Sequence, residues 1–409
     1  AEPPLARMLQ QMPDHGGRSP VQQQLRRAHA SRRPGAKNDN SKPECNGGVH
    51  DASVVSGCGN RSCFGLDSTR SDLTQQNDST KFTAMPDAHE SNPADELKTF
   101  LWFAGWKSPE LKPLAGDAST RKYFRIVERS RSAILMDASL NRDSLAAFVQ
   151  IDEHLRRLEF HAPKILARDI ARGWLLLEDF GDDTFAALLD KGADAAELYV
   201  LGIDVLAALH AKPDAAPENL RRYDPEKMLE DIELFLEWRT PRISAEGANE
   251  FRRAWREVLP LAHAVPSSLL LRDYHAANLM LLKDETGLKR VGLLDFQDAY
   301  VGPVTYDLIS LLEDARRDLP DGKREKMLDR YCSKFPNLNL ETFRTSLAIV
   351  AAQRHTRVLA IFERLSRAQG KHDYKRLHSP RVERLLETAL EQPVLAEVKR
   401  WMNQYAMQS

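Results

Sequence analysis

Two aspartates and an asparagine are the residues of this chain most able to do chemistry. Asp273 and Asn278, with four residues between them, lie in a loop that follows the apolar run Leu269-Leu270-Leu271, and Asp295 ends a second apolar run, Val291 to Leu294. Short carboxylates and a short amide at the ends of buried strands suit the movement of a terminal phosphoryl group, which needs positioning and charge neutralisation more than covalent work. In that chemistry Asp273 accepts or orients the proton of an acceptor hydroxyl. Asn278 offers a neutral amide oxygen to one Mg²⁺, and Asp295 holds magnesium bridging the β- and γ-phosphates of ATP. Asp and Asn are also ordinary loop residues and helix caps, so the spacing by itself says little. The two strands, Asp295 and the following Gly302-Pro303-Val304-Thr305-Tyr306-Asp307-Leu308 make it a constellation. His275, just behind the base, is expected to support the loop by hydrogen bonding. Asp307, before the run Leu308 to Leu312, is expected in a cap-like structural role, and Asp298 carries no assigned role.

The elements that must position this centre can be read on either side of it. Pro113 to Ile126 reads as strand, turn, strand, with Gly116 at the turn; Ser119, Thr120 and their backbone N–H groups could face phosphate oxygens, with Arg121 or Lys122 supplying charge. A plain hairpin is the alternative, and chain order decides for the phosphate cover. The next strand, Ala133 to Asp137, is where kinases carry a lysine for the α- and β-phosphates; this chain has Met136 and Asp137, so Arg121, Lys122 and Arg125 become the candidate cations. Asp143 to Phe160 has the apolar spacing of an amphipathic helix, with Glu153 expected on its solvated face. Gly173 to Gly181 runs from an apolar strand into Glu178-Asp179-Phe180-Gly181 and reads as a hinge, whose backbone near Glu178 and Phe180 would meet adenine. Beyond it, Ala193–Ala211, Pro225–Trp238, Glu246–Ala262, Glu341–Arg367 and Arg381–Leu390 carry helical spacing. The expected fold is α+β: bilobal and protein-kinase-like, with a small mixed β N-lobe over residues 93–180 and a larger, mostly helical C-lobe over 181–409.

The loop Leu271-Arg272-Asp273-Tyr274-His275-Ala276-Ala277-Asn278 and the strand end Leu294-Asp295-Phe296-Gln297-Asp298 resemble the aminoglycoside phosphotransferase superfamily, which includes choline kinase-like proteins. Asp273, His275 and Asn278 match its motif by position, whereas Leu271 and Arg272 replace the family His and Gly. A closer resemblance, over roughly residue 94 to the C-terminus, is to the bacterial anomeric kinases of N-acetylmuramate and N-acetylglucosamine. It rests on Leu114-Ala115-Gly116-Asp117-Ala118-Ser119-Thr120-Arg121-Lys122-Tyr123-Phe124-Arg125, on Leu135-Met136-Asp137-Ala138, on Leu175 to Asp182, and on Gln353 to Leu365. The resemblance implies ATP-dependent phosphorylation of an amino sugar at its anomeric hydroxyl, in peptidoglycan recycling, and makes the absent lysine a group trait.

The acceptor is less legible. A polycationic aminoglycoside calls for carboxylates, while a muramate brings its own carboxylate and calls for Arg, Lys or His, for which Arg354, His355, Arg357 and Lys371 are candidates. Such residues on a long helix also suit its solvated face. Aminoglycoside, choline or homoserine kinases, and an inactive nucleotide-binding pseudokinase, remain as alternatives.

Charge is balanced, with 58 basic against 59 acidic side chains in 409 residues, which gives no electrostatic footprint for nucleic acid or an anionic membrane surface. No apolar run reaches membrane-span length. Residues 1–92, rich in Gln, Asn, Ser and Gly pairs, are expected to be disordered or a non-native leader. Cys45, Cys58 and Cys63 fall there without metal-site spacing, and Cys332 stands alone in the folded part, which suits a reducing cytoplasm.

Overall fold

The computed structural model describes residues 92–114 and 121–406. The segment before residue 92 and the turn with Ser119 and Thr120 lie outside the described residues. The chain divides between Thr99 and Phe100. Helix α1 (Pro93–Phe103) opens with proline and has Asp95 and Glu96 in its first turn, where carboxylates favour the helix dipole.

Within residues 100–409, five antiparallel strands form the sheet of the smaller lobe: β1 (Glu110–Pro113), β2 (Lys122–Glu128), β3 (Arg131–Asp137), β4 (Ile165–Asp169) and β5 (Trp174–Leu177), in the order β1-β2-β3-β5-β4. The β2–β3 register sets Phe124 opposite Leu135 and Ile126 opposite Ala133. All four are buried, so alternation along both strands gives the sheet one dry face. Helix α2 (Asp143–Arg157) buries Leu145, Phe148, Ile151 and Leu155 along one side, as an amphipathic helix does. Gly173 enters β5 at φ +84°, and a Cβ there would lie 2.8 Å from the backbone of Ser139, so glycine alone fits.

The larger lobe carries α3 (Phe185–Asp190), α4 (Ala195–His210), α5 (Pro225–Trp238) and α6 (Ala245–Val258), capped by Thr184, Asp194, Asp224 and Ser244 side chains. Two short antiparallel ladders sit at its active edge: β6 (Ser267–Leu270) with β9 (Tyr300–Pro303), and β7 (Leu279–Leu281) with β8 (Val291–Leu293). Then come α7 (Thr305–Leu312), α8 (Lys323–Cys332), α9 (Leu340–Gln369), α10 (His372–Leu390) and α11 (Ala396–Tyr405). The 30-residue α9 packs on α5, α7 and α10. Helix α10 starts already at His372 and runs through Pro380, where the sequence suggests a start at Arg381. The expected two-lobed α+β plan is observed.

Candidate active site

The loop between β6 and β7 turns sharply because Arg272 adopts φ +66°, a left-handed conformation unusual for a residue with a side chain. Asp307 at the start of α7 holds that turn, its carboxylate accepting hydrogen bonds from the backbone N–H groups of Leu271 at 2.6 Å and Arg272 at 2.9 Å. Ser310 donates to the Arg272 carbonyl at 3.2 Å. Asp307 is fully buried, and burial pushes its carboxyl up to about 7 against the opposing effect of the two N–H donors. The Arg272 side chain leaves in another direction, donating to Asp231 at 2.6 Å beside the rings of Tyr223 and Tyr300.

This turn presents Asp273. Burial raises its carboxyl, but the charges of His275, Arg357, Arg272 and Arg354 outweigh that and hold it below the ordinary carboxylate range, so it is ionised at neutral pH. Asn278 links it to Asp295. The Asn278 amide donates to the Asp273 carbonyl at 2.9 Å and lies 3.4 Å from Asp295 Oδ2, while the Asn278 carbonyl accepts from Leu294 N–H at 3.0 Å. With its NH₂ committed in this way, the amide oxygen is the end available to a cation. His275 is 6% exposed; burial lowers its basicity, and Nε2 lies 3.5 Å from the amide of Asn278 and from Arg316. Asp307 thus ties the loop to the start of α7, and His275 lies beside Asn278.

Asp295 stands at φ +59°, which turns the chain as β8 ends. Its Oδ1 accepts from Gln297 at 2.9 Å and from Arg121 at 3.1 Å. Gln297, which sequence reasoning left without a role, also lies 3.4 Å from Asp298. Among the described residues no cluster of three or more His, Cys, Asp or Glu side chains could hold a metal unaided. One carboxylate and one amide oxygen fit Mg²⁺, which keeps most of its shell as water and phosphate oxygens.

Toward the smaller lobe, Met136 is fully buried, and Asp137 turns back to accept from Ser139 N–H at 3.0 Å, so this end of β3 offers no cation to a phosphate. Arg121, with its side chain 10% exposed, is the cation that reaches the centre. Lys122 opens β2 opposite Asp137. Arg125 needs a correction: its guanidinium binds Asp182 at 2.9 Å, Asp179 at 3.0 Å and the Gly181 carbonyl at 2.9 Å, which makes it a tie between β2 and the hinge rather than a free phosphate cation. Glu178 accepts from Lys164 N–H at 3.0 Å, and the His161 imidazole, 3.8 Å away, holds its carboxyl below the usual range. The Phe180 ring rests edge-on against His161 and fills the space over Gly292, where a Cβ would lie 2.8 Å from the ring. Both side chains thus brace the hinge, and any contact to adenine falls to its backbone. Glu153 is exposed and paired with Arg168, as expected.

On the acceptor side the expected pair separates. His355 is fully buried with Nε2 2.7 Å from Glu313, so it cannot touch an acceptor; a basic residue on a helix buried on most sides reads in sequence like one on its surface. Arg354, also buried, donates to Ser310, which in turn donates to the Arg272 carbonyl of the catalytic loop. Asp231 on α5, unremarked in the sequence, gathers Arg272, Lys227 at 3.1 Å, Arg357 at 3.3 Å and the Tyr223 hydroxyl at 2.8 Å. Its only local signal is the one-turn spacing from Lys227.

An ionised aspartate on a sharply turned loop, an amide and a carboxylate beside it at strand ends, and a small sheet joined by a hinge segment to a helical lobe have the layout of a phosphotransferase of kinase-like fold. The chain belongs to the phosphotransferase enzyme family, whose model matches residues 110–342. It is 34% identical over 345 residues to the N-acetylmuramate/N-acetylglucosamine kinase of Caulobacter vibrioides, a match covering 75% of this chain and 94% of that one. Among solved structures it shares its fold with a choline/ethanolamine kinase family protein from Mesorhizobium loti, at TM-score 0.53 and 17% identity over 75% of this chain and 98% of that one. The ternary complex of streptomycin, ATP and APH(2″)-IIa is similar at TM-score 0.50 and 16% identity, covering 72% and 98%.

Proposed function

We propose that this protein is an ATP- and Mg²⁺-dependent kinase of amino sugars that phosphorylates the anomeric hydroxyl of N-acetylmuramate and N-acetylglucosamine in the cytoplasm during peptidoglycan recycling. The observation that carries the reading is the convergence of Asp273, Asn278 and Asp295 through the Asn278 amide. The name of the Caulobacter relative supports the acceptor class. Asp273, ionised and half-buried, takes or orients the proton of the attacking hydroxyl. Asn278 Oδ1 and the Asp295 carboxylate would hold Mg²⁺, which supplies charge neutralisation on the phosphates when bound. Arg121 stands in for the missing strand lysine, and Ser119, Thr120 and Lys122 complete the phosphate cover. The Glu178 C=O and Phe180 N–H, without intramolecular bonds among the described residues, are left for adenine. His275 and Asp307 fix the loop.

The test is ³¹P NMR of Mg·ATP with N-acetylmuramate, N-acetylglucosamine, kanamycin and choline in turn. An anomeric sugar phosphate with stoichiometric ADP is expected. Phosphorylation of kanamycin or choline alone, or of none of the four, would overturn the reading.

A further inference from the structure

Two arginines one helical turn apart on α9 carry guanidinium groups that the fold does not use up. Arg354 is 5% exposed; Nη2 donates to Ser310, whereas Nη1 is buried with no partner among the described residues. Arg357 meets Asp231 through Nε at 3.3 Å. No hydrogen bond from its terminal nitrogens is seen among the described residues, and the side chain is 23% exposed. A planar fork with both ends unspent matches a carboxylate. A buried N–H without an acceptor is costly, so such a donor points to a ligand that completes it. Both arginines are one link from the loop that carries Asp273: Arg354 donates to Ser310, which donates to the Arg272 carbonyl, and Arg357 shares Asp231 with the Arg272 side chain.

The surroundings decide the sign of that ligand. Lys227, Arg272, Arg354 and Arg357 are gathered there against the carboxylates of Asp231, Asp273 and Asp307. Asp307 is spent on two backbone donors, and Glu230, which also meets Lys227, is an exposed residue at the rim. Asp231 is shared among Lys227, Arg272 and Arg357. A polycationic or quaternary-ammonium acceptor would enter against like charge; an acid-bearing one would supply the missing anion.

We infer that Arg357, with Arg354 behind it and Lys227 at the rim, forms a carboxylate subsite that selects an acidic amino sugar over its neutral counterpart. The inference rests on the amino-sugar reading above. It is tested by measuring kcat/KM for N-acetylmuramate and N-acetylglucosamine with the full chain and with Arg357→Gln, Arg357→Lys and Lys227→Gln. The acid-to-neutral ratio is expected to fall roughly 10- to 100-fold in Arg357→Gln, about threefold in Lys227→Gln, and to recover in part in Arg357→Lys. A ratio unchanged within twofold in Arg357→Gln overturns the subsite. Should the unmodified protein turn over neither sugar, the kinase reading fails separately, and saturation-transfer NMR with N-acetylmuramate decides the subsite. Binding lost in Arg357→Gln upholds it, and binding absent from the unmodified protein or unaltered in the variant overturns it.

Discussion

Replacing Asp307 with Asn tests whether the catalytic loop is held by one buried carboxyl. The carboxyl accepts from Leu271 N–H at 2.6 Å and Arg272 N–H at 2.9 Å, and because burial pushes its proton affinity up to about 7, the change costs little as a loss of charge. The loss is of geometry. An amide keeps one acceptor and turns an NH₂ toward the other backbone N–H, stranding a donor on each side in a site with no water access. Each stranded donor costs roughly 1–3 kcal/mol, so about 2–6 kcal/mol is expected, or a Tm lower by roughly 4–12 °C. The Arg272 turn at φ +66° loses its restraint and Asp273 shifts; a displacement near 1 Å costs about 100-fold in rate. Thermal melts by circular dichroism and a coupled ADP-release assay read both effects. A variant with unchanged Tm and kcat/KM would refute the clamp.

Three further outcomes follow from the same geometry. Arg121→Gln removes the cation that reaches Asp295 at 3.1 Å, and KM for Mg·ATP is expected to rise about tenfold in initial-rate titrations. Gly173→Ala forces a Cβ to within 2.8 Å of the Ser139 backbone at φ +84°, costing roughly 2–5 kcal/mol by urea denaturation. Asp307 also makes stability depend on pH. Its folded value of about 7 lies above the ordinary unfolded value of 3.8, so between these limits the folded chain holds a proton that the unfolded chain has released. This contribution is complete below pH about 4, is lost as pH rises through 7, and is flat above; the difference in urea midpoint between the native chain and Asp307→Asn from pH 5 to 8 isolates it from Asp152, which burial raises in the same direction.

The centre was legible because its determinants are local. Apolar runs announce β6 and β8, and a loop that must leave a strand, present a base and return is short enough to be read as a pattern. The same holds for Met136, whose place on β3 shows the absent lysine without any structure. What stayed hidden depends on contacts distant in sequence. Arg125 looks like a phosphate cation until the hinge folds beside it and Asp179 and Asp182 take its guanidinium. His355 and Arg354 are neighbours with opposite fates, because α9 is buried on most sides and periodicity cannot name which neighbour each side chain meets. Asp231 draws its partners from α5, α9 and the catalytic loop, a convergence that no spacing within one segment records. Pro380 reads as a helix boundary yet lies inside α10, since packing outweighs one lost backbone hydrogen bond.

The most direct test of the account is Asp273→Asn, followed by rapid-quench phosphoryl transfer to N-acetylmuramate and by calorimetric binding of Mg·ATP. The variant keeps the Asp273 backbone carbonyl that orients Asn278, so Mg·ATP affinity should stay within about threefold while phosphoryl transfer falls by roughly 10²–10⁴. Transfer at the unmodified rate, or loss of transfer matched by an equal loss of nucleotide binding, would contradict the assignment of Asp273 as the base.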